Sequence, residues 1–203
     1  EKLALFIAGA LAAEDALRSH VARAARLCKA DLVSQVVVEF PKLQGLMGRI
    51  YAQKAGESEE TARAIEEHYR PVASGAALPE TVAGALVALA DKMDTLVGCF
   101  SAGLIPTGAS DPYALRRQTI GIIQILTQMN FRFSVTALVE QSLSLYGEKA
   151  LAKKDEVVRD VLDFIRNRME YILVEEGFSR DVTASVTSVS IDNVPDVKRR
   201  VAA

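Results

Sequence analysis

The scarce reactive side chains of this 203-residue chain are two histidines, His20 and His68, and two cysteines, Cys28 and Cys99. Imidazoles and carboxylates are a metal-ligand set that can activate water for hydrolysis, so a metal held by the two histidines with aspartates is one chemistry to weigh. A structural zinc site of the paired-cysteine type is excluded, because the cysteines stand 71 residues apart without CxxC spacing. No GxSxG elbow supports a serine triad, and no phosphate loop is present. The remaining chemistry is recognition by cations, and its most conspicuous pair is Arg116-Arg117.

Those arginines follow the stretch Gly103-Leu104-Ile105-Pro106-Thr107-Gly108-Ala109-Ser110-Asp111-Pro112-Tyr113-Ala114-Leu115, which joins two apolar helices, about Thr81 to Ser101 and about Pro112 to Met129. Gly103 can end the first helix, Asp111 offers a capping carboxylate, and Pro112 suits a first helical position. On the second helix Leu115, Thr119, Ile122, Leu126 and Met129 form an apolar stripe and Arg117, Gly121, Gln124 and Gln128 a polar face, so Arg117 should look outward. Arg116 shares its strip with Ile120 and Ile123, and a partly buried guanidinium needs an acidic partner. Asp91 and Asp94, three residues apart on the preceding helix, supply candidates. The expectation is an ion pair of Arg116 with Asp94 or Asp91 that clamps the hairpin.

Half the residues are hydrophobic, enough for a substantial core, and the net charge of −2 with a pI near 5.8 argues against a strongly basic nucleic-acid module while leaving local basic patches open. The cysteine pattern favours a reducing cytoplasm with both thiols in the core. No apolar run approaches the roughly 20 residues that cross a bilayer, so no membrane is expected. The chain opens on Glu1-Lys2-Leu3 and is expected to be a piece of a longer protein.

Nearly every periodic segment has the helical period, which predicts an all-α multi-helix bundle. Helices are expected over Leu3 to Ala30 with a possible break, Leu32 to Phe40 with Leu32, Val33, Val36, Val37 and Phe40 on one face, Glu59 to Tyr69, Ser134 to Tyr146 and Asp155 to Glu176, with one or two short helices over Ser179 to Val201. Gly45 and Gly48, three apart after Pro41, call for a packing reason, and close helix crossing is the simplest.

Five blocks in order, Leu27-Cys28-Lys29-Ala30-Asp31-Leu32, Glu39-Phe40-Pro41-Lys42-Leu43-Gln44-Gly45-Leu46-Met47-Gly48, Glu67-His68-Tyr69-Arg70-Pro71, Ala90-Asp91-Lys92-Met93-Asp94-Thr95-Leu96 and Pro106 to Arg117, resemble the beta subunit of the bacterial heterotetrameric glycyl-tRNA synthetase. The turn Glu176-Gly177-Phe178-Ser179 resembles the same subunit further on. The resemblance implies an HD-like helical domain over residues 1–130 and a helical extension over 131–203 leading toward the anticodon-binding region. It implies a cytoplasmic protein that helps bind and position tRNA(Gly), with the alpha subunit and the remainder of the beta subunit as partners in an alpha2beta2 assembly. ATP and Mg2+ would be used at the alpha subunit, and this chain would carry no catalytic residue, cofactor or metal of its own. Metal-dependent HD phosphohydrolases place an adjacent His-Asp pair where this chain has Lys29-Ala30-Asp31, and a lysine cation cannot replace an imidazole ligand.

Exposed cations near the glycine-bearing segments, Lys29, Lys42, Arg49, Arg70 and Arg117, are the candidates for contact with tRNA phosphates. Two other functions compete: an HD-like phosphohydrolase with a metal on His20, Asp31, His68 and Asp91, and a purely structural module that docks on a neighbouring subunit.

Overall fold

A computed structural model describes residues 1–73 and 75–203, with Lys149 described by its backbone. The α-helices are Lys2–Ala10 (α1), Asp15–Leu27 (α2), Gln35–Glu39 (α3), Leu46–Lys54 (α4), Glu59–Glu67 (α5), Val82–Ser101 (α6), Leu115–Gln128 (α7), Val135–Ser144 (α8), Glu148–Leu151 (α9), Lys154–Glu175 (α10), Arg180–Val189 (α11) and Val194–Ala202 (α12), with 3-10 turns at Ala30–Val33 and Pro41–Leu43. The chain is all-α: among the described residues there is no strand, only one isolated bridge between Thr107 and Ser110. None of these helices is long and apolar enough to cross a membrane.

Capping side chains set many of the helix starts. Ser34, Ser58, Ser134 and Ser179 accept the amides of Val37, Thr61, Ala137 and Val182, and Asn193 accepts that of Asp196, so that each relieves one of the free donors of a first turn. The helical stretch expected from Leu3 to Ala30 has the break allowed for in it: α1 and α2 are separate, with Ala12 at φ 52° between them.

Packing divides the chain into two compact units, Glu1–Asp91 and Lys92–Ala203, with the boundary inside α6. The division expected near residue 130 falls within the second unit, between α7 and α8. In the first unit α5 packs on α4 and α2, and α2 on α1, around a core that includes Ile7, Ile65, Leu86 and Leu89. In the second, α10 lies against α7, α8 and α11, and α12 against α7 and α11, over Leu115, Ile122, Leu126, Leu138, Val161 and Ile165. The apolar stripe expected on α7 is buried from Leu115 through Leu126, and Gly121, assigned to the polar face, is buried as well. The face expected for the Leu32 to Phe40 segment is different: Val37 alone is buried, while Leu32, Val33, Val36 and Phe40 are exposed.

Two polar anchors organise the units. In the first, the buried Glu67 carboxylate accepts the Thr81 amide at 2.9 Å and the Thr81 hydroxyl at 2.6 Å, joining the end of α5 to the start of α6. Gly84 packs directly on it. In the second, Asp192 accepts the Thr136 amide at 2.8 Å and the Ser134 hydroxyl at 2.9 Å. Burial pulls the Asp192 pKa upward, but the hydrogen bonds from Thr136 and Ser134 outweigh it and hold the carboxyl below its ordinary value.

A Cβ at Gly84 would lie 2.4 Å from Glu67 Oε2 and 2.8 Å from Glu67 Cβ. Gly84→Ala is therefore expected to destabilise the first unit by about 1–3 kcal/mol despite the better helix propensity of alanine, as measured by urea denaturation. A carboxyl with a depressed folded pKa stabilises above its unfolded pKa and loses that contribution as pH falls through the folded value. Asp192→Asn should accordingly flatten the acid-side loss of stability, which denaturation midpoints between pH 7 and pH 3 will show.

Candidate nucleic-acid interface

The first candidate surface is built outward from Asp31. Its carboxylate is 1% exposed, and Oδ2 accepts the Gly45 amide at 2.7 Å. Gly45 has φ 83°, a left-handed conformation that disfavours any side chain, and an added Cβ would lie 2.9 Å from the Tyr69 ring. Gly45 is thus the residue before α4 and not a helix-interior glycine. Gly48 is the close-crossing glycine, because a Cβ there would lie 2.8 Å from Ile65 Cγ2 on α5. The turn Pro41–Leu43, held between α3 and this anchor, presents Lys42 to solvent without an ion pair among the described residues.

The neighbouring arginines are differently placed. Arg49 pairs with Glu59 at 2.6 Å and Glu66 at 3.2 Å, and Arg70 with Glu66 at 3.0 Å, Glu80 at 3.2 Å and Glu67 at 4.0 Å. With Arg63 they line a cavity of about 210 Å³ in which every guanidinium faces carboxylates. The hydrogen bond from Gln53, with the charge and hydrogen bond of Arg49, holds the Glu59 carboxyl below its usual value. A phosphate would have to displace those carboxylates, so the cluster holds α4, α5 and the start of α6 together instead of offering free positive charge. Lys29 is also matched, to Asp91 at 2.5 Å.

The four residues considered for a metal serve other contacts. His20 Nδ1 lies 3.0 Å from Ser58 Oγ and 3.2 Å from Thr61 Oγ1. His68 is buried, with Nδ1 2.6 Å from the Ile65 carbonyl, so that nitrogen carries the proton and donates. Asp31 is bound to Gly45, and Asp91 to Lys29. Among the described residues no group of three or more His, Cys, Asp or Glu side chains is arranged to hold a metal ion. Burial, with the Asp91 charge added, pushes the Cys28 thiol up to about 11, so it stays protonated and unreactive near neutral pH.

In the second unit the loop before α7 differs from the expected form. The helix starts at Leu115 and not at Pro112, after Ala114 in a left-handed conformation at φ 53°. Asp111 does cap it, accepting the amides of Leu115 at 2.8 Å and Arg116 at 3.0 Å. The expected clamp of Arg116 with Asp94 or Asp91 is corrected: the Arg116 guanidinium donates to the Gly108 carbonyl at 2.7 Å. The cause is the late helix start, which puts Arg116 in the first turn, where a helical side chain leans back toward the N-terminus and over the loop. Asp94 instead accepts the Tyr146 hydroxyl, at 2.9 Å on its carboxylate and 2.7 Å on its carbonyl. Burial, then the Asp94 charge, pushes the Tyr146 phenol upward. Arg117 is exposed, as its helix face requires, with no ion pair among the described residues.

The structure therefore sorts the five candidate cations into Lys29, Arg49 and Arg70, which are neutralised, and Lys42 and Arg117, which are not. Sequence reasoning missed the carboxylates opposite Arg49 and Arg70. Their signal was local: Glu66 and Glu67 stand four and three residues before Arg70, at helical spacing.

These features define an all-helical module whose buried polar groups fix loops and helix ends, and whose exposed surface carries Lys42 and Arg117 without an ion pair among the described residues. The chain matches the family model described as "Glycyl-tRNA synthetase beta subunit" over residues 1–188. It is 56% identical over 198 residues to the glycine–tRNA ligase beta subunit of Desulforapulum autotrophicum, covering 98% of this chain and 29% of that protein. The corresponding subunit of Desulfatibacillum aliphaticivorans is 50% identical, over 89% of this chain and 26% of its own length. That of Citrifermentans bemidjiense is 48% identical, over 93% and 27%. The chain belongs to the glycyl-tRNA synthetase beta subunit family, and it spans less than a third of the length of these relatives.

Loss of a neutralised arginine and of a free lysine should differ in stability. Arg70→Ala is expected to cost the first unit roughly 1 kcal/mol by leaving Glu66, Glu67 and Glu80 short of a partner, while Lys42→Ala stays within about 0.5 kcal/mol of wild type. Equilibrium urea unfolding followed by circular dichroism makes the comparison.

Proposed function

We propose that this chain is part of the beta subunit of a heterotetrameric glycine–tRNA ligase and helps bind and position tRNA(Gly) for aminoacylation carried out with the alpha subunit. The observation that carries the reading is the family match over residues 1–188, beside a relative at 56% identity. On this reading the partners are tRNA(Gly), the alpha subunit and the remainder of the beta subunit. ATP and Mg2+ act at the alpha subunit, the assembly is cytoplasmic, and the fragment contributes no catalytic group. Residues 1–130 form an HD-like scaffold and residues 131–203 lead toward the anticodon-binding region.

Of the five candidate cations, Lys42 and Arg117 are the better placed for phosphate contact, because each is exposed without an ion pair among the described residues. Ion pairing removes that advantage from Lys29, Arg49 and Arg70.

Binding of glycine tRNA to this chain, measured across a salt series with and without alpha subunit, tests the reading. The affinity should fall linearly on a log–log plot, and Lys42→Ala with Arg117→Ala should reduce the steepness by about one per lost phosphate contact. Unchanged affinity and slope in the double variant would remove both assignments. Tight capture of alpha subunit without RNA affinity would leave a docking module instead.

A further inference from the structure

The turn that carries Lys42 also displays an aromatic ring. Phe40 is 62% exposed at the junction of α3 and the Pro41–Leu43 turn. Its backbone is held on both sides: its amide donates to the Val36 carbonyl at 2.8 Å, and its carbonyl accepts the Leu43 amide at 2.9 Å. Pro41 fixes the following φ, and the Gln44 amide returns to the Pro41 carbonyl at 3.2 Å. One residue further, the Gly45 amide is bound by the buried Asp31 carboxylate, and the Tyr69 ring closes on the glycine.

A largely open ring thus stands on a fixed turn, two residues from an ammonium that has no ion pair among the described residues. An aromatic face beside a phosphate-binding cation is the arrangement by which proteins hold unpaired nucleotides, since every base has a face to stack. Paired stems keep their bases stacked on one another and offer mainly phosphates.

We infer that Phe40 is a stacking platform for an unpaired RNA base, with Lys42 holding the adjoining phosphate. The inference rests on the RNA-binding reading above and names the form of RNA that this surface takes.

The chain contains no tryptophan, so Phe40→Trp introduces a single indole whose emission reports on this position alone. An unstructured RNA oligonucleotide is expected to quench it, and a blunt RNA duplex at equal phosphate concentration to leave it bright. Phe40→Ala and Phe40→Leu should bind the oligonucleotide about tenfold more weakly, and Phe40→Tyr should bind like wild type, all with unchanged helicity because the ring is exposed. Wild-type affinity in Phe40→Ala, with Lys42→Ala still reducing the salt slope, would overturn the stacking role and leave the RNA-binding reading standing. Equal quenching by the duplex would overturn it too. No RNA binding by the wild-type chain would remove both, and unchanged RNA affinity with lost capture of alpha subunit would reassign the ring to a protein contact.

Discussion

The Asp31 carboxylate, almost sealed from water, accepts one backbone amide, and the shape of the first candidate surface follows from that hydrogen bond. A buried acceptor stripped of solvent is costly unless it is satisfied, so the Gly45 amide is held where the carboxylate needs it. Gly45 can comply because it has no side chain to clash with Tyr69 in its left-handed conformation. Among the described residues the other Asp31 oxygen has no hydrogen-bond partner, so the amide contact is what compensates the carboxylate, and the turn is correspondingly fixed. Gly48 extends the same logic one helical turn on, letting α4 and α5 approach closely beneath the carboxylate.

Electrostatics then separates scaffold from surface. Three arginines and four glutamates line one cavity of the first unit, and their mutual pairing cancels most of the field that the arginines would otherwise project. An uncompensated lysine or arginine on an exposed turn or helix face keeps its field. That contrast shows how a chain with a net charge of −2 still carries exposed cations, Lys42 and Arg117, without an ion pair among the described residues.

Much of the fold was legible in the residues. Helical period, capping serines and the apolar stripe of α7 gave the all-α class and most element positions, because these signals act within one turn of chain. The family blocks carried the functional class. Side-chain partnership was less legible: Arg116 turned to the Gly108 carbonyl because the helix began three residues later than Pro112 suggested, and Ala114 took a left-handed conformation that alanine composition does not announce. The Leu32 to Phe40 segment failed in the opposite direction. Its period was helical, as the Gln35–Glu39 helix confirms, but periodicity says nothing about whether a neighbour exists to cover the face, and most of those side chains stayed exposed. Tertiary pairing such as Glu67 with Thr81 spans 14 residues and leaves no local mark.

The joining of Glu67 to Thr81 and of Arg70 to Glu80 ties together the two ends of the segment between α5 and α6. With its ends already stapled, that segment's length is nearly decoupled from the stability of what it connects, since each doubling of a flexible loop adds only about 0.6 kcal/mol of closure entropy. Residues 75–77, in the turn between those staples, are therefore where this fold can accept inserted sequence, a tag or a lineage-specific elaboration while the helices on either side keep their register.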